Sequence, residues 1–177
     1  MMRFAPILLA CGCFMPAGLS AQSEMSALEP LVGVWETEDT YHPATGEPSV
    51  ERGVRTCEFV LRDQYLQCQT AGINARGVER TYRWMINYNG VVNRYEMLSV
   101  WSNVPFKSVS ALEPLEGERG WRLSGVALIG DTEPATPTYS EMVIEAPDRI
   151  VWTGRRISEG VAAEDAPVSF IETWTRR

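Results

Sequence analysis

Few residues of this chain could do chemistry. His42 is the only histidine, set between Tyr41 and Pro43. A metal or haem ligand would be its natural use, yet no cysteine or carboxylate cluster stands beside it at ligand spacing. Its place at the edge of the Pro43-Ala44-Thr45-Gly46 turn reads instead as an exposed loop, so neither metal nor cofactor is expected. Glu172 is the second candidate. It alternates with Val168, Phe170 and Trp174 and so shares their face, and a carboxylate on a buried face needs a partner or a raised pKa. Arg80, with the parity of Tyr82 and Trp84, is the expected partner. Such a pair could grip a polar head group or serve as acid and base. The competing reading turns Glu172 out to water at a bulge or strand end. The sequence holds no nucleophile elbow, phosphate-binding glycine loop, dinucleotide-binding glycine pattern or zinc spacing, and no catalytic residue is assigned.

The aromatic residues form the third group. Trp84, Tyr95, Trp101, Phe106, Trp121, Trp152 and Phe170 could line an apolar pocket, or could equally fill a core. Six tryptophans in 177 residues favour contact with a ligand. With Arg80 and Glu172 at a polar end, these aromatics make up the expected binding set.

Strands must position them. Helical periodicity is confined to a turn or two near Glu24–Leu31, where Pro30 limits it. The rest is a succession of short alternating segments rich in Val, Ile, Thr, Tyr and Trp. Strands are predicted near 33–41, 50–60, 65–72, 77–88, 93–102, 105–112, 119–129, 138–145, 149–157 and 167–175, separated by turn residues such as Asn89-Gly90 and Pro147-Asp148. Tyr82, Trp84, Ile86 and Tyr88 share one face, as do Trp121, Leu123, Gly125 and Ala127. The alternate positions are largely polar. A sheet with one greasy face and no helices to cover it must bury that face against itself. The expected fold is therefore all-β, an antiparallel up-and-down barrel of about 8–10 strands with a short N-terminal helical turn.

Cys57 and Cys68 flank a tight reversal at Leu61-Arg62-Asp63-Gln64. Counting back from Val60 and Tyr65 sets the two cysteines directly opposite, which predicts a structural disulfide. Residues 1–21 read as a secretory signal peptide: Arg3, an apolar run from Phe4 to Met15, then Gly18-Leu19-Ser20-Ala21 with cleavage after Ala21. An alternative takes Cys11 as a lipidated cysteine. Residues 22–177 would then be the barrel domain, periplasmic or secreted. The formal charge of −7 and the lack of a basic cluster argue against nucleic acid as a partner, and no run is long enough to span a membrane. A monomer or weak homodimer is expected. The hexapeptide Ser26–Leu31, SALEPL, recurs at Ser110–Leu115, but the flanking sequences diverge and no duplicated unit is inferred.

At Leu31-Val32-Gly33-Val34-Trp35 a short apolar lead-in precedes Gly-x-Trp on the first strand. This resembles the lipocalin, or calycin, pattern, and more closely the lipocalin-like domains of exported bacterial proteins. CEFVLRDQYLQCQTAG and RTYRWMINYNGVVNRYEMLSVW fit the same type. The chain departs from fatty-acid-binding proteins in lacking a helix pair after the first strand, and shows no clear second lipocalin block. The resemblance implies structural roles: Gly33 allows close approach at the closed end of the barrel, Trp35 plugs that end, and Arg176, or else Arg155, lies across the indole. It also implies non-catalytic binding of a small, mainly apolar molecule inside the barrel. The alternatives are a barrel enzyme of isomerase or cyclase type using an interior carboxylate, and a packed-core envelope interaction protein without a ligand.

Overall fold

The computed structural model describes residues 23–102, 106–129 and 136–177. The leader assigned to residues 1–21, with its alternative at Cys11, lies outside them. Ten strands run β1 (Gly33–Tyr41), β2 (Ser49–Val60), β3 (Tyr65–Asn74), β4 (Glu79–Asn89), β5 (Arg94–Trp101), β6 (Phe106–Pro114), β7 (Gly120–Ile129), β8 (Thr136–Ala146), β9 (Arg149–Arg155) and β10 (Val168–Arg176). Each pairs antiparallel with its neighbour in sequence, and β1 pairs with β10 to close the barrel. This is the all-β up-and-down architecture that the alternating pattern requires. Closure buries the greasy face and leaves no unpaired edge among the described strands.

The inward parity holds on each strand singled out. Trp84 and Ile86 of β4, Tyr95 and Met97 of β5, Trp121 and Leu123 of β7, and Glu172 and Trp174 of β10 are all buried. The β2–β3 reversal is closed by Val60 and Tyr65 with Cys57 facing Cys68, and those two cysteines form the disulfide.

SALEPL adopts two conformations. Ser26–Leu31 is a 3-10 helix whose Leu28 and Leu31 are buried, whereas Ser110–Pro114 continues β6. One hexapeptide serves both states because tertiary packing overrides its local preference.

The helix closes one end of the barrel. Met25, Leu28 and Leu31 pack in the core beside Trp35, and the Trp35 indole donates to the Leu31 carbonyl at 2.9 Å. The Arg176 guanidinium lies 4.2 Å from the Trp35 ring centroid and donates to the carbonyls of Pro30, Val32 and Pro147. Gly33 is required beneath it. Its φ is +135°, and a Cβ there would stand 2.6 Å from Arg176 Nη1. Arg176, not Arg155, therefore covers the indole; Arg155 instead donates to the Ala166 carbonyl.

Candidate functional site

Beyond the Trp35 layer the barrel is hollow. A cavity of about 560 Å³ occupies the half away from the helix, within the size range of small-molecule sites. The space comes from small inward residues on adjacent strands. Ser99 faces Ser108, which faces Ala127; Ser110 faces Gly125, which faces Thr138. Large side chains at those positions would fill the interior. Flanking this wall stand Trp84, directly beside Ser99, and Trp101 of β5, with Trp152 of β9 and Phe170 of β10 completing the lining.

The floor is an arginine held among indoles. The Arg55 guanidinium lies 4.2 Å from the Trp174 ring centroid, 5.6 Å from that of Trp84 and 5.9 Å from that of Trp152. It binds Glu172 through both carboxylate oxygens, at 2.7 and 3.2 Å, and its Nε donates to Thr70 Oγ1 at 2.6 Å. Both charged side chains are almost fully buried, at 4% and 6% exposure. Bidentate geometry and the electron-rich ring faces offset the desolvation such a pair suffers.

Above the floor three carboxylates stand side by side. In the β10–β1–β2 register Asp39 faces Glu172 on one flank and Glu51 on the other. Glu51 pairs with Arg80 at 3.2 Å, and the same Arg80 nitrogen donates to the Tyr82 hydroxyl at 3.2 Å. The carboxylate of Glu51 fits because Gly72 carries no side chain; a Cβ there would stand 2.9 Å from Glu51 Oε1. Asp39 has no arginine of its own, and its Oδ1 is buried without a hydrogen-bond partner among the described residues. Burial, followed by the Glu172 charge beside it, pushes the Asp39 carboxyl up to about 8, against the opposing pull of Tyr41 and Arg55. Burial and then the Asp39 charge carry the Tyr41 phenol well above its ordinary range. Burial, with hydrogen bonding to Glu51, lifts Tyr82 to about 12. With Asp39 neutral, Glu172 is matched by Arg55 and Glu51 by Arg80, so the buried cluster balances.

Of the residues singled out in the sequence, Arg80, Trp84, Trp101, Trp152, Phe170 and Glu172 border the cavity. Tyr95 and Trp121 do not; they pack in the apolar core, where the Tyr95 hydroxyl donates to the Glu24 carbonyl at 2.6 Å. The Phe106 side chain lies outside the described residues. His42 is half-buried at the end of β1, its carbonyl accepting from Arg156 at 2.6 Å. The expected Arg80–Glu172 pair is corrected. Glu172 is buried, as one of the two readings required, but its partner is Arg55, because β2 lies just beyond β1 from β10 and β4 lies two strands further round. Sequence reasoning missed Asp39, Glu51 and Arg55. The available signal was parity, since Asp39 alternates with Trp35 and Arg55 with Cys57.

No protein-family model and no curated protein matches the sequence. Among solved structures, an S-type phycobiliprotein lyase from Guillardia theta superposes with a TM-score of 0.57 at 11% identity, over 91% of this chain and 95% of that one. A structure of EF1p2_mFAP2b bound to DFHBI superposes with a TM-score of 0.48 at 10% identity, over 86% of this chain and 98% of that one. At such identity the likeness to the lyase is one of fold. The closed antiparallel ten-strand barrel is the fold the two share.

Proposed function

We propose that this is an exported protein that binds a small, mainly apolar molecule inside its barrel without transforming it. The observation that carries the reading is the cavity of about 560 Å³ lined by Trp84, Trp101, Trp152 and Phe170 together with small hydroxyl residues. Aromatic walls supply burial, and the polar end at Asp39, Glu51, Arg80 and Glu172 fixes orientation. Export is supported by the leader-like residues 1–21 and by the Cys57–Cys68 disulfide, a bond that persists in oxidising compartments.

Two measurements test the binding. Protein purified from its own host and weighed under native conditions should carry extra mass that denaturation removes. The emptied protein should then show saturable quenching of tryptophan emission by 1-naphthalenemethanol at one site per chain. Absence of both would overturn the reading.

One observation favours a second reading, a barrel enzyme. Asp39, held near 8 beside Tyr41, has the protonation behaviour of a general acid–base group. Glu172, clamped by Arg55, is poorly placed for that role. Recovery of the carried molecule chemically unchanged after prolonged incubation separates binding from turnover.

A further inference from the structure

We propose that the cavity is built for an apolar molecule carrying a protonated amine, whose ammonium docks on Asp39 between Glu51 and Glu172. The inference rests on the ligand-binding reading above and names the chemistry of its polar end.

The geometry carries it in three steps. First, the carboxylate row outnumbers its arginines. Glu172 holds Arg55 and Glu51 holds Arg80, which leaves Asp39 as the acid of the row without an ion-pair partner among the described residues. Asp39 also keeps a buried acceptor, Oδ1, without a partner among the described residues, and it borders the cavity. Once Asp39 gives up its proton, its unpartnered acceptor and its charge are together satisfied by a charged donor. Second, the arginine charges on the cavity are already engaged: Arg80 pairs with Glu51 and donates to Tyr82, keeping only its Nε as a buried donor without a partner among the described residues, and Arg83 donates to Gln69. Arg55 is already engaged by Glu172 and Thr70, while Arg155 and Arg156 near the open end donate to the carbonyls of Ala166 and His42. Third, a compact metal ion is poorly served, because among the described residues no group of three acid, cysteine or histidine side chains is arranged to hold one. An ammonium donates along three directions, and the Trp84 and Trp152 rings on the same cavity suit both its apolar body and its charge.

The proton on Asp39 couples docking to pH. Asp39 is faced by Glu172 from β10, by Glu51 and Arg55 from β2, and by Tyr41 on its own strand, with Tyr82 and Arg80 of β4 completing the network. Below about pH 8 the free protein holds a proton there. The amine enters already protonated, so its ammonium displaces the Asp39 proton to the buffer, and the charge of the cluster with its ligand remains balanced.

Isothermal titration of the full exported chain with 1-naphthylmethylamine, 1-naphthalenemethanol and 1-naphthoate, in buffers of different ionisation enthalpy, tests this. At neutral pH the amine should bind about tenfold or more tighter than the alcohol, with naphthoate weakest. Amine binding should release close to one proton. The amine-to-alcohol affinity ratio should rise about tenfold per pH unit as Asp39 loses its proton, between about pH 6 and 8. In Asp39→Asn the preference and the proton release should vanish while the alcohol still binds. An amine no tighter than the alcohol, a preference independent of pH in the wild-type protein, or naphthoate as the tightest ligand would each overturn the proposal and leave the ligand-binding reading standing. Failure of all three compounds to bind would overturn the proposal, and with no mass carried from the host it would overturn the ligand-binding reading as well.

Discussion

Asp39 of β1 stands directly opposite Glu172 of β10 in the seam that closes the barrel, and Arg55 binds Glu172 through both oxygens while leaving Asp39 without an ion-pair partner among the described residues. Closing the sheet therefore forces together two acids that lie far apart in the chain. The cluster answers by keeping a proton on one of them. The stability and the proposed ligand chemistry both follow from that arrangement.

Stability should fall as pH rises. Folding lifts the Asp39 pKa from 3.8 to about 8, so between those values the folded state holds a proton that the unfolded chain has lost. The folded state is penalised increasingly across that window and levels off above it. Asp39→Asn removes the penalty. Its melting temperature should match the wild type near about pH 4 and exceed it by about 5 °C or more near pH 9. A difference that stays constant with pH would contradict the assignment.

Removing Arg55 should be severe. Arg55→Met leaves the Glu172 carboxylate buried and unpaired, and urea unfolding should register a loss of about 3–5 kcal/mol. The double variant Arg55→Met with Glu172→Leu should recover most of it, because the pair is replaced by apolar groups among indoles. No recovery in the double variant would mean that the pair does more than balance its own charge.

The disulfide should matter to stability and not to binding. Cys57 and Cys68 are 11 positions apart, and replacing both by serine should cost about 3 kcal/mol in urea unfolding, as expected for a short closed loop. Affinity for 1-naphthalenemethanol should be unchanged, since neither cysteine borders the cavity.

Filling the cavity should abolish binding and spare the fold. Ser110 projects into the hollow half opposite Gly125, so Ser110→Phe has space to occupy. The variant should keep its strand-rich circular dichroism and lose the saturable tryptophan quenching. Retained quenching would place the ligand elsewhere.

Much of the fold was legible from local pattern. The turn at Leu61–Gln64 set the β2–β3 register, and one-sided greasiness with no covering helix demanded closure. Arg176 lies over the Trp35 indole with Gly33 beneath its guanidinium. The polar cluster was not legible, for a physical reason. Which acids and arginines meet depends on the β1–β10 pairing, which joins the two ends of the domain, and on which strands lie next to it. Alternation alone pointed to Arg80 as the partner of Glu172, and only strand order, which sets β4 apart from β10, rules it out. The hollow interior left a fainter mark in Ser99, Ser108, Ser110, Gly125 and Ala127, small residues recurring at inward parity.

The carboxylate row is tested most directly by carbon-13 NMR of the aspartate side-chain carboxyls across a pH titration, with Asp39→Asn to assign the signal. One carboxyl should titrate at about 8 and be missing from the variant. If every aspartate carboxyl titrates in the ordinary acidic range, Asp39 is not held between Glu51 and Glu172 in a buried cavity, and the account of the site fails.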